Sequence, residues 1–96
     1  MEILKTLEGT KQTITLKGRL DTITAPQLEQ ELKYDGLPEL VFEIADLDYV
    51  SSAGLRLFLS AQKVMAKQGQ MVIKGAKPVV KEVFDITGFS DILTLI

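Results

Sequence analysis

Two serines stand side by side in "LDYVSSAGLRLFL", Leu47 to Leu59, between an apolar run and a stretch with helical spacing. A serine hydroxyl can attack a substrate, accept a phosphoryl group or cap a helix. The chain contains neither Cys nor His, which removes thiolate chemistry, the usual general base and the commonest metal ligand. "SSAGL" also departs from the G-x-S-x-G pattern of a hydrolase elbow. A nucleophilic serine is therefore the weakest reading. Ser is a preferred N-cap, its oxygen accepting from a backbone N–H two or three residues on, worth about 1 kcal/mol. A helix start also carries unpaired N–H groups and partial positive charge, which suit a phosphate esterified to a serine. Ala53 and Gly54 are small and are expected to leave the hydroxyl open to a large partner. Spacing alone favours the cap and leaves the modification site open.

A second group lies in "GRLDTITAP", Gly18 to Pro26, where Arg19 and Asp21 flank Leu20. Taken alone it is a polar turn through Asp21 and Thr22, with Thr24 capping the helix that follows. A third group is Glu43, Asp46 and Asp48. No phosphate-cradling glycine loop accompanies these carboxylates, so they read as a solvated strand end, with no metal site and no cofactor expected.

The surrounding elements alternate. "TITLKG" places Ile14 and Leu16 on one face, and with the segment before "EGTK" it reads as a hairpin, Gly18 ending its second strand. Thr24 and Gln27 suggest a capping box for a helix with Ala25, Leu28 and Leu32 inward and Gly36 just past its end. Leu40, Phe42 and Ile44 share one face of a strand. Ala53 to Gln68 has helical spacing, with Leu57, Phe58, Ala61, Val64 and Met65 as the core stripe, Leu55, Leu59 and Ala66 flanking it, and Gly69 as the stop. "QMVIKG" is a short strand. Pro78 opens a third helix with Val79, Val83 and Phe84 inward, Val80 or Ile86 on its flank and Gly88 as its cap. "ILTLI" is a last strand or a helical turn. The order β-β-α-β-α-β-α predicts a single α/β domain over residues 1–96: a mixed, mostly parallel sheet with an opening hairpin and packed helices.

In this order, "GRLDTITAPQLEQEL", "LVFEIADLDYVSSAGLRLFLSAQKVMAKQGQMVIKGA" and "PVVKEVFDITGFSDIL" resemble the STAS domain family, and within it the bacterial anti-sigma factor antagonists. The resemblance implies a partner switch. The unphosphorylated antagonist binds an anti-sigma factor that is also a serine kinase, freeing a sigma factor. Phosphorylation breaks that complex, and a serine phosphatase restores it. Alignment through Gly54 and Leu55 implies Ser52 as the phosphoacceptor. Ser51, standing where the family often has Asp, is the rival acceptor. Unmodified Ser52 is also expected to cap the helix it opens. The implied partner surface joins Arg19, Asp21 and Thr22 to Ser51, Ser52, Ala53, Gly54 and Arg56. Family relatives also serve as unphosphorylated scaffolds or as accessory subunits of transport systems, which is the alternative.

The charge balance, 11 basic against 13 acidic residues, argues against a dedicated nucleic-acid binder. No run of about 18 apolar residues exists to insert in a membrane. The beginning, "MEILKTLEGTKQ", lacks the pattern of a signal peptide, and the cytoplasm is the expected compartment.

Overall fold

Alternation along the second strand sets the layers. In the computed structural model, which describes residues 1–96, Ile14 and Leu16 are buried while Thr13 and Thr15 lie on the other face. The elements are β1 (Glu2–Glu8), β2 (Lys11–Leu20), α1 (Ala25–Glu31), β3 (Glu39–Val50), α2 (Ser52–Met65), β4 (Gln70–Lys74) and α3 (Pro78–Thr87), then a 3₁₀ turn at Phe89–Asp91. The sheet runs β1-β2-β3-β4. β1 and β2 form the antiparallel hairpin; β2–β3 and β3–β4 are parallel, each joined through a helix. Helices bury their apolar stripes against one face of this sheet. Ile14, Leu16, Leu40, Phe42, Ile44, Met71 and Ile73 of the strands and Leu28, Phe58, Met65, Val80 and Phe84 of the helices join one core cluster. Phe58 sits at its centre, edge-on to Phe42 with ring centroids 5.0 Å apart and 5.9 Å from Phe84. No polar or charged residue is buried as a whole, although the Gln62 Oε1 atom on α2 is buried without a hydrogen-bond partner.

Several local expectations change. β2 continues through Gly18 to Leu20, because Gly18 takes φ +102° at an irregularity instead of ending the strand. Two such irregularities, between Thr15 and Lys17 and between Gly18 and Arg19, each give β3 one more residue than β2. A bulge re-aims the side chains after it. Burial in β3 accordingly shifts from Leu40, Phe42 and Ile44 to Leu47 and Val50.

α1 stops at Glu31, where Leu32 turns extended (φ −84°, ψ 108°). Gly36 is therefore not its cap but part of a later turn, at φ +71°. That segment is tied to the far end of α2: the Gln68 side chain donates to the carbonyls of Tyr34 and, at 2.9 Å, of Leu37. α2 begins one residue early and ends at Met65. Its buried side is Gly54, Leu55, Phe58, Ala61 and Met65, with Leu57 half-buried and Val64 exposed. Gly69 follows the helix as expected, and a Cβ there would lie 2.0 Å from the Pro38 carbonyl oxygen. In α3, Val80 and Phe84 point inward and Val79 is exposed. Gly88 caps α3 in the left-handed region at φ +81°. The last residues combine both expectations, the 3₁₀ turn leading to a parallel bridge between Leu95 and Ile73. No helix is long and apolar enough to cross a membrane.

Candidate functional site

The parallel pairing of β2 and β3 ends at Leu20 and Val50. One bond later, the Ser51 N–H donates to the Leu20 carbonyl at 2.8 Å. This pairing brings two segments distant in sequence to one end of the sheet. They are the loop from Asp21 into α1 and the serine pair opening α2, both at carboxyl ends of parallel strands, where open α/β sheets place their sites.

The two hydroxyls have different work. Ser51 is the N-cap of α2, with extended backbone (φ −95°, ψ 175°), and its Oγ accepts from the Gly54 N–H at a long 3.5 Å. Its carbonyl accepts from the Leu55 N–H at 2.9 Å, opening the helical ladder. Ser51 is half-buried; Ser52, the first helical residue, is exposed. Capping therefore falls to Ser51 and not to Ser52, because β3 runs straight into the helix and leaves only Ser51 with the non-helical dihedrals a cap needs. Ser52 is left with its hydroxyl outside the cap.

Gly54 has a different reason from the expected one. It is buried, and a Cβ on it would lie 2.6 Å and 2.8 Å from Leu20 Cγ and Cδ2 and 2.9 Å from Val50 Cγ2. Its smallness lets α2 pack onto the ends of β2 and β3, and it presents nothing to a partner. Ala53, half-buried, does reach the surface.

Asp21 organises the other loop. Its Oδ1 accepts from the N–H groups of Ile23 and Thr24, both at 3.0 Å. Its own N–H donates to Thr24 Oγ1 at 2.8 Å, and that hydroxyl donates to the Arg19 carbonyl at 2.7 Å. Thr24 occupies the N-cap position without a side-chain cap bond. Its hydroxyl is turned back into the loop, and Gln27 donates to the Met1 carbonyl at 3.1 Å instead of closing a capping box. The Thr24 N–H above all holds the Asp21 carboxyl below its ordinary value; desolvation opposes it, and the Ile23 N–H, the Thr24 hydroxyl and the nearby Arg19 add to the lowering. Arg19 Nε lies 3.8 Å from Asp21 Oδ2, and its guanidinium sits 4.3 Å from the Tyr49 ring centroid. Asp21 and Tyr49 thus hold Arg19 from two sides.

Thr22 and Pro26 face Ala53 and Arg56 across a groove of about 320 Å³ between the starts of α1 and α2, with Glu29 and Ser60 further along it. Of the residues singled out from sequence, Arg19, Asp21, Thr22, Ser51, Ser52, Ala53 and Arg56 gather at this end, and Gly54 lies beneath them. Sequence reasoning missed Ile23, which is 86% exposed at the tip of the Asp21 loop, and Tyr49, the ring under Arg19. An apolar residue between two threonines in a polar loop was the available signal for Ile23. The carboxylates Glu43, Asp46 and Asp48 do not converge. Glu43 accepts from the Ala45 N–H at 3.3 Å, while Asp48 pairs with Lys77. No group of acidic residues is placed to hold a metal ion.

The STAS domain model matches residues 4–96. The chain belongs to the STAS domain family. This STAS domain is 42% identical over 81 residues to BtrV of Bordetella bronchiseptica, assigned as an anti-sigma factor antagonist, covering 80% of this chain and 70% of that protein. Its fold superposes on an anti-sigma factor antagonist from Mycobacterium paratuberculosis with a TM-score of 0.88, at 22% identity over 98% of this chain and 83% of that one. It also matches SpoIIAA, a Bacillus cell-fate determinant solved in its phosphorylated form, with a TM-score of 0.71, 18% identity, and 99% and 91% of the two chains covered.

Proposed function

We propose that this STAS domain is an anti-sigma factor antagonist whose binding is switched off by phosphorylation of Ser52. Its partners in this reading are an anti-sigma factor with serine kinase activity and a serine phosphatase. One observation carries the choice of residue: Ser51 is half-buried and engaged as the helix cap, whereas Ser52 is exposed beside it. The name of BtrV, its 42% identical relative, supports the antagonist role.

In the forward step, Ser52 Oγ forms a bond to the γ-phosphorus of ATP. The bond from that phosphorus to the bridging oxygen breaks, ADP leaves, and the hydroxyl proton passes to solvent. In the reverse step, water attacks the phosphorus and the serine oxygen leaves with a proton. The domain supplies the acceptor and the binding surface; the partners supply the catalysis. Modification adds about −1.5 to −2 charges at the centre of the surface formed by the Asp21 loop, Ile23 and the start of α2. A partner packed closely there must then bury or repel that charge, so binding fails.

Incubation with the anti-sigma kinase and ATP, followed by mass spectrometry, tests the assignment. Phosphate is expected on Ser52, and it should remain in Ser51→Ala and vanish in Ser52→Ala. Ser52→Asp should weaken partner binding, and Ile23→Ser should weaken it roughly fivefold or more, the loss of over about 1 kcal/mol that marks the minority of interface residues acting as anchors. Phosphate on Ser51 alone, or unchanged binding by Ser52→Asp, would overturn the switch. Recovery of a transporter ATPase instead of a kinase in pull-downs would favour the scaffold alternative.

A further inference from the structure

Arg56 lies four residues after Ser52 on α2, and both are exposed, while Gly54 and Leu55 between them and Phe58 just beyond are buried in the core. Residues at this spacing are neighbours on a helix surface, about 5–6 Å apart at Cβ. Helical side chains lean toward the helix N-terminus. In the unmodified domain Arg56 lines the groove facing α1, and its long arm is within reach of the turn that holds Ser52.

The surrounding charges leave Arg56 uncommitted. The four ion pairs of the domain use Lys5, Arg19, Lys77 and Lys81. Arg19, the other arginine at this end of the sheet, is held by Asp21 and Tyr49. Along α2, the neighbours of Arg56 at three and four residues are Ala53, Ser52, Leu59 and Ser60, none of them acidic. Across the groove the facing acid is Glu29 of α1, which lines the same space without forming an ion pair to Arg56.

We infer that Arg56 is the internal counter-ion for a phosphate on Ser52, an inference that rests on the proposed modification of that serine. A guanidinium can meet a phosphate with two parallel N–H···O bonds, which an ammonium cannot. The switch then changes the groove in two ways at once. It adds an anion beside the groove, next to Ala53 of its lining, and withdraws from the groove wall the one cation that a partner's carboxylate could meet. Arg56 is a positioning residue in this scheme and takes no part in phosphoryl transfer.

The test installs phosphoserine at position 52 during translation, so that no kinase is needed, and follows its second ionisation by phosphorus NMR at low salt. A nearby cation favours the dianion, so the phosphate in the wild-type background should titrate lower than in Arg56→Gln. The expected difference is roughly 0.2–0.4 pH units, the size of an i,i+4 ion pair expressed as a pKa shift. Arg56→Lys should retain part of the shift, Arg19→Gln should leave it intact, and added salt should shrink it. Identical titration in wild type and Arg56→Gln overturns the inference, as does an equal change on Arg19→Gln. Failure of the kinase to modify Ser52 would instead strike the proposed function, and the titration would be unaffected.

Discussion

Replacing each serine in turn separates their roles by stability alone, with no partner present. Removing an N-cap hydroxyl costs roughly 0.5–2 kcal/mol. The bond from Gly54 N–H to Ser51 Oγ is 3.5 Å long, at the weak end of hydrogen-bond geometry, which places Ser51→Ala in the lower half of that range, about 0.5–1 kcal/mol. For a domain of this size each kcal/mol moves the melting temperature by roughly 4–8 °C, so Ser51→Ala should melt roughly 2–8 °C lower. Ser52→Ala removes an exposed hydroxyl outside the cap and puts the best helix former at the first helical position. Its stability should be unchanged or slightly higher, within about 0.5 kcal/mol. Ser51→Asp should keep wild-type stability at neutral pH, since Asp and Ser cap about equally well. Far-UV circular dichroism melts, backed by urea midpoints at constant m-value, measure all three. The reasoning fails if Ser52→Ala costs as much as Ser51→Ala, or if Ser51→Asp is as unstable as Ser51→Ala. Ser52 would then be the capping residue, and phosphorylation would act by breaking the helix start.

Gly54→Ala forces a methyl group to within 2.6–2.9 Å of Leu20 and Val50. Overpacking of about 1–3 kcal/mol, offset by about 1 kcal/mol of helix propensity, gives a net loss of up to about 2 kcal/mol. Urea unfolding should show it, together with faster exchange of the Ser51 amide as Leu20 is displaced; a clear gain in stability would contradict the packing role. Asp21→Asn should be less stable than wild type at neutral pH, where the folded carboxyl is held ionised below its ordinary value. A lowered folded pKa stabilises above the unfolded value, and that stabilisation disappears as pH falls from about 3.8 through the folded value. Urea midpoints of the two proteins should therefore differ at neutral pH and converge in acid, and a gap that persists in acid would point to lost hydrogen bonds, not ionisation.

Element order, hairpin and sheet class are legible from local pattern. Ile14 and Leu16 alternate with threonines, Gly88 sits where a left-handed cap is needed, and Pro78 opens a helix; each signal spans a few residues of chain. Other features turn on residues brought from elsewhere. Thr24 has the chemistry of a cap, yet Asp21 and the Arg19 carbonyl engage its hydroxyl. α1 ends early where Gln68, on the far side of α2, binds the following loop. β3 changes its burial phase at irregularities that exist only through its pairing with β2.

The serine pair shows where the boundary lies. Composition and spacing determined that a hydroxyl would sit at a helix entrance with small residues beside it, and that no Cys or His would assist it. They did not determine which hydroxyl caps, because capping depends on where helical dihedrals begin. That point is set by the bond from Ser51 N–H to the Leu20 carbonyl and by Gly54 packed against Leu20 and Val50. Leu20 lies some thirty residues back along the chain. Helical period is a local property, whereas the rotation of a helix about its axis is chosen by the surface beneath it. Only the tertiary structure could place Ser51 in the cap and Ser52 outside it.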